Sequence, residues 1–82
     1  GADTKTIKVF PNPTSGHLFV DLEDFGNGAW ISIYSMSGVL VYHSLSSVQD
    51  RCEINLPDLR RGIYVIKATS EKEQVMKKLL VE

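Results

Sequence analysis

Apolar and polar residues alternate along most of this chain with a period of two. Over residues 17–23, Leu18, Val20 and Leu22 share one face, and over 29–34 Ala29, Ile31 and Ile33 do the same. Residues 51–56 alternate without a break, which places Cys52, Ile54 and Leu56 on an inner side. Successive side chains of an extended strand point to opposite faces, so this spacing predicts strands with one face on a core. Residues 62–69 begin apolar on both faces. Lys67 and Thr69 mark the parity of Ile63 and Val65 as the outer one, which leaves Tyr64, Ile66 and Ala68 inside.

Turn-forming residues separate these runs. A first strand over 7–10 ends at Pro11-Asn12-Pro13-Thr14-Ser15-Gly16, where two prolines fix φ and lack a backbone donor, so the segment cannot lie mid-sheet. Turns follow at 24–28 and at Ser35-Met36-Ser37-Gly38, a tight hairpin with Gly38 expected at positive φ. A polar loop is expected over 45–49 and a longer corner over 57–62. Ser70-Glu71-Lys72-Glu73 closes a final hairpin into a last strand near 74–81. About seven short strands with turns every 8–12 residues or so predict an all-β, immunoglobulin-like sandwich of antiparallel strands. Helix competes only over 71–80, where Glu, Lys, Gln, Met and Leu are good helix formers. The tight turn before that segment and the apolar tail Leu79-Leu80-Val81 favour a strand.

Eighty-two residues make one domain, and a chain of this size buries only roughly 60–65% of its unfolded surface. With a single cysteine there is no internal disulfide to reinforce it, so stability must come from a well-patterned core. The 43% hydrophobic and 23% charged content is that of a globular protein. Nine basic against ten acidic residues give a net charge of −1. That balance carries no basic footprint for nucleic acid and no polybasic membrane patch. The apolar runs are too short to span a bilayer. Gly1-Ala2 reads as the remnant of a purification tag and residues 1–6 as linker, with the domain proper over 7–82.

Candidate chemistry is sparse. His17, His43 and Cys52 show no metal-ligand spacing, and no serine lies in a nucleophile elbow. Cys52 shares its parity with Ile54 and Leu56 and reads as a small core hydrophobe. Gly26-Asn27-Gly28 leads into a strand and cannot cradle a phosphate. No catalytic residue, metal or cofactor is therefore expected. Phe19, Trp30, Tyr34 and Tyr42 fall opposite their strands' core parity and could form an aromatic strip for carbohydrate or a protein partner. Asn12-Pro13-Thr14 is no glycosylation acceptor, because of its middle proline.

The punctuation itself resembles a known family. Val9-Phe10-Pro11-Asn12-Pro13-Thr14-Ser15-Gly16 is similar to the opening motif of the A-type C-terminal sorting domains of the type IX (Por) secretion system. Ile33 to Val41, with Gly38 after its short turn, resembles that family's central hairpin. Ile54 to Val65, with a leucine ahead of Gly62-Ile63-Tyr64, is similar to its third motif, and Lys77-Lys78-Leu79-Leu80-Val81 to its closing one. The motifs occur in order along nearly the whole chain.

The resemblance implies a secretion signal, not an enzyme, from Bacteroidetes such as Porphyromonas. It implies a passenger domain on the N-terminal side, periplasmic transit, and recognition by the outer-membrane machinery. A sortase would then cleave the domain and fix the passenger at the cell surface, unless the product is secreted. Only Asp3-Thr4-Lys5-Thr6 remains of the linker where cleavage would fall. Among the matched positions, Pro11, Asn12, Pro13, Gly16, Gly38, Gly62 and Tyr64 are expected to be structural. Tyr64 should bury its ring and give its hydroxyl to backbone. Lys77, Lys78, Leu79, Leu80 and Val81 are the recognition candidates, on an edge strand with unpaired backbone groups open to a partner's strand. The lysines could equally protect that edge from aggregation, and the edge could pair two copies into a weak dimer. The competing function is a carbohydrate- or protein-binding module built on the aromatic strip.

Overall fold

The computed structural model describes residues 5–26, 28–46 and 51–82. Among them there are seven strands: β1 (Lys8–Phe10), β2 (His17–Asp21), β3 (Ala29–Ser35), β4 (Leu40–Ser46), β5 (Arg51–Asn55), β6 (Gly62–Thr69) and β7 (Gln74–Val81). All the strand pairs are antiparallel. They form a three-stranded sheet in the order β1-β2-β5 and a four-stranded sheet in the order β4-β3-β6-β7. This is an immunoglobulin-like sandwich, as the two-residue period predicts. Residues 74–81 are strand rather than helix. The expected polar loop is shorter than 45–49, because Leu45 and Ser46 still pair with Trp30 and Ala29. Its remaining residues, together with Asn27 and the tag-like Gly1-Ala2, lie outside the described residues.

The core lies between the sheets. Leu18 and Val20 from β2 and Ile54 from β5 meet Ala29, Ile31 and Ile33 from β3 and Tyr64, Ile66 and Ala68 from β6. The inner parity of β6 is thus the one its outward Lys67 and Thr69 indicate. Cys52 sits opposite Val20 and packs against this core. Ile7, one residue ahead of β1, is also fully buried.

The parity expected for Tyr42 is reversed. It pairs with Ile33 and packs, half-buried, against the core, and so does its neighbour Val41. A register shift between Ile33 and Tyr34 is the cause. At such a bulge an extra residue interrupts the alternation, and two neighbours can lean to one face. The four aromatics therefore form no continuous strip. Phe19 lies on the outside of the three-stranded sheet, Trp30 and Tyr34 on the outside of the other, and Tyr42 faces inward.

Two glycines are needed where they stand. Gly38 closes the three-residue β3–β4 turn at φ 88°, with its N–H donating to the Ser35 carbonyl at 2.9 Å. Gly16 has φ 121°, and a Cβ there would lie 2.6 Å from the Leu56 carbonyl oxygen. The Leu56 N–H in turn donates to the Gly16 carbonyl at 2.7 Å, so the contact is backbone against backbone and cannot relax by rotating a side chain. We expect Gly16→Ala to lower stability by about 2–3 kcal/mol. Urea unfolding checks this, and a midpoint equal to that of the parent would show that the segment has slack.

Candidate functional site: the last strand and the motif that seals its edge

β7 is an edge strand, paired on one side with β6 from Gly62↔Val81 to Thr69↔Gln74. Its five terminal recognition candidates have different environments. Leu79 is completely buried and Val81 nearly so, and both belong to the core cluster. In the folded domain their side chains are out of reach of any partner, because they are buried and share the inward parity of Tyr64. Lys77, Lys78 and Leu80 are exposed. Lys78 and Leu80 face outward beside Val65 and Ile63. Lys77 has the inward parity of its partner Ile66 yet reaches solvent at the sheet margin. A charge placed there opposes edge-to-edge pairing of sheets.

The backbone of this edge is less open than an edge strand ordinarily is. The segment between β1 and β2 crosses from the three-stranded sheet and lies along the end of β7. The Asn12 side-chain amide donates to the Lys78 carbonyl and accepts from the Leu80 N–H, each at 2.9 Å. Two residues on, the Thr14 N–H donates to the Leu80 carbonyl, and the Glu82 N–H donates to the Thr14 carbonyl, both at 2.8 Å. Thr14 and Val81 form an isolated parallel bridge. An amide side chain carries one donor and one acceptor set, so a single Asn can replace a strand residue at both groups. Thr14 is itself buried, its hydroxyl donating to the His17 carbonyl at 2.7 Å and accepting from the Gly16 N–H at 3.0 Å. The expectation of a fully unpaired edge at Lys77 to Val81 is therefore corrected. From Lys78 onward the edge is sealed by Asn12 and Thr14.

In an antiparallel ladder alternate residues turn their N–H and C=O groups away from the paired neighbour. Lys78, Leu80 and Glu82 do so here, and the same alternation puts the outward groups of Gln74 and Met76 on the free edge. Among the described residues nothing pairs with those groups.

The remaining matched positions are structural in their contacts. Tyr64 is buried, and its hydroxyl donates to the Arg60 carbonyl at 2.6 Å, tying the 57–62 corner to β6. Pro11 and Pro13 flank Asn12 in the sealing segment. The residues with chemical potential are engaged elsewhere. His17 pairs with Glu53. His43 stacks flat on Trp30 with ring centroids 4.7 Å apart. Among the described residues no three His, Cys, Asp or Glu side chains are grouped to hold a metal ion, and no helix is long and apolar enough to cross a membrane.

The opening and closing motifs are thus one joined structure. The sequence matches the profile of the secretion system C-terminal sorting domain over residues 8–82. The chain belongs to that family. A search of curated proteins finds no match. As a member the sorting domain is a C-terminal signal for type IX secretion, which acts with that machinery and directs export to the outer membrane, the cell surface or the medium. The matched region takes in both the sealing segment and the strand it seals. Sequence reasoning placed these motifs but missed their contact. Asn12 and Leu80 are 68 positions apart, and the one local signal was an Asn held between prolines.

Two outcomes follow from this geometry. Leu79→Ala should cost about 2–5 kcal/mol of stability, because it empties a buried site, while Leu80→Ala should cost under about 1 kcal/mol. Chemical denaturation of the pair measures this, and equal losses would contradict the assigned faces. Asn12→Ala should cost about 1–2 kcal/mol and accelerate hydrogen exchange at the Leu80 amide. Unchanged exchange there would mean that the seal does not protect the edge.

Proposed function

We propose that the folded domain is read by the type IX outer-membrane machinery through the exposed residues of β7, chiefly Lys77, Lys78 and Leu80, after crossing the periplasm. A sortase then cuts upstream of β1 and attaches an N-terminal passenger at the surface. The single observation that carries the reading is the family match over residues 8–82. The contacts that join Asn12 and Thr14 to β7 support it, since they make the sealed strand one unit that folding must complete. The domain acts as a signal and not as a catalyst. In support of that, Cys52 packs on the core while His17 and His43 are held by Glu53 and Trp30.

The test is a fusion of a signal peptide and a periplasmic reporter ahead of this chain, expressed in a type IX-competent bacterium. The reporter should reach the surface and lose the domain on the way. A simple truncation after Met76 is a poor control, because it removes Leu79 and Val81 from the core and would unfold the domain. Lys77→Glu with Lys78→Glu changes only exposed residues. That double variant should keep the parent's unfolding midpoint and hold most of the reporter in the periplasm. Full surface delivery by the folded double variant would show that recognition lies elsewhere.

A further inference from the structure

The two sheets present very different outer faces. On the three-stranded sheet charges of both signs and aromatic rings are interleaved. Asp21 sits opposite Arg51, and His17 pairs with Glu53. The Arg51 guanidinium covers the rings of Phe10 and Phe19 at 5.1 and 5.8 Å. Neither ring is among the strongly exposed apolar groups. On the four-stranded sheet His43 stacks on Trp30 and the Lys67 ammonium lies 5.2 Å from the Tyr34 ring centroid, but much apolar surface stays open. Every large apolar side chain that is exposed among the described residues lies on its outer face or in the turn from β3 to β4. The strand positions of that face carry two lysines, Lys67 and Lys78, and no carboxylate.

Trp30, Leu40 and Leu45 carry part of this apolar surface on β3 and β4, and another part lies at the margin with β7. Met36, Ile63, Val65 and Met76 line a depression there, flanked by Lys77 and Lys78. Met76 is 60% and Ile63 43% exposed. At about 430 Å³ the depression has the volume of a small-ligand pocket, but it is open along one side and lacks the enclosure that buries a small molecule. Beside it runs the unsealed stretch of edge, where Gln74 and Met76 turn free N–H and C=O groups outward.

We propose that this corner docks an extended acidic and apolar segment of a partner protein, added as a strand along Gln74 and Met76. The inference rests on the sorting reading above and names the chemistry of its partner. Free main-chain groups in line with an apolar shelf suit a strand, whose backbone pairs with the edge while its alternate side chains reach the shelf. A helix would leave those groups unpaired. Lys67 lies over the Tyr34 ring, which leaves Lys78, with no carboxylate on the face, to select acidic side chains on the incoming strand. The same charges argue against a second copy, which would bring its own Lys77 and Lys78 to the seam. The sealing by Asn12 and Thr14 confines strand addition to a short register, which suits a signal that must be read and then released.

The reporter fusion supplies the test, with the unsubstituted chain as reference. Retention of the reference in the periplasm would sink the sorting reading itself. With the reference delivered, Met76→Asp and Gln74→Pro should each cut surface reporter roughly tenfold, the cost of about 1.4 kcal/mol of docking. Met76→Leu and Lys8→Thr should deliver normally. The outward N–H of Gln74 lies at the start of an edge strand, where proline is tolerated, and Met76 is exposed. All four chains should therefore keep the parent's unfolding midpoint. Normal delivery of folded Met76→Asp would overturn the proposal. Lys78→Glu should fail where Lys78→Arg succeeds, and equal delivery by the two would overturn the acidic partner. Two measurements on the purified chain address other occupants. A dimer that forms at micromolar concentration and is lost in Met76→Asp would overturn the proposal in favour of a second copy. Flotation with phosphatidylglycerol vesicles, lost in Met76→Asp, would overturn it in favour of a membrane surface.

Discussion

The two sheets meet along a seam where Thr14 pairs with Val81 and Asn12 spans Lys78 and Leu80. A small sandwich without disulfides has little surplus stability, and an edge strand is where it is most easily peeled apart. The seam answers both problems with one segment. It satisfies three outward backbone groups of β7 and the Glu82 N–H just beyond it, and holds Leu79 and Val81 over the core. It also requires Gly16, whose backbone passes too close to Leu56 for any side chain. The crossover, the closing strand and the 56–62 corner are consequently interdependent, although they lie far apart in the chain.

Much of this architecture was legible in the sequence, for a simple reason. A two-residue period is a direct image of which side chains meet the core, so the inward sets of β2, β3, β5 and β6 could be read without knowing the topology. The charged Lys67 settled the parity of β6, where both faces start apolar. Reading failed at Tyr42, because the bulge near Ile33 resets the count and no residue type announces it. It also failed at the edge of β7. Periodicity reports the faces of a sheet and says nothing of its margins, so Leu79 could not be told from Leu80 as core from surface, and the cover supplied by Asn12 could not be seen. The two gaps differ in cause: the bulge lies within one hairpin but has no residue signature, while the cover by Asn12 depends on a pairing between residues remote in sequence, which leaves no local pattern.

The contrast between the outer faces has an energetic side. Exposed ion pairs such as His17–Glu53 contribute little to stability, so the mixed charge of the three-stranded sheet does little to hold the fold together. An apolar face of similar size on the other sheet has a real cost in solubility, and natural domains keep such faces small unless they are used. Two lysines and a sealed half-edge limit that cost here.

The placement of the chain's two ends bears on how a signal can serve different passengers. Lys5 lies over the Phe25 ring, and the Thr6 N–H donates to an Asp24 carboxylate oxygen at 3.0 Å. Lys5 and Phe25 border the same cleft as Ser70, Glu71 and Lys72, at the end of the sandwich where β6 turns into β7. Ile63, Leu80 and the Met36 turn lie toward the other end, at the start of β6 and the finish of β7. A passenger joined ahead of Lys5 would therefore enter beside the β6–β7 hairpin, at the Gln74 end of β7 and away from Ile63 and Leu80.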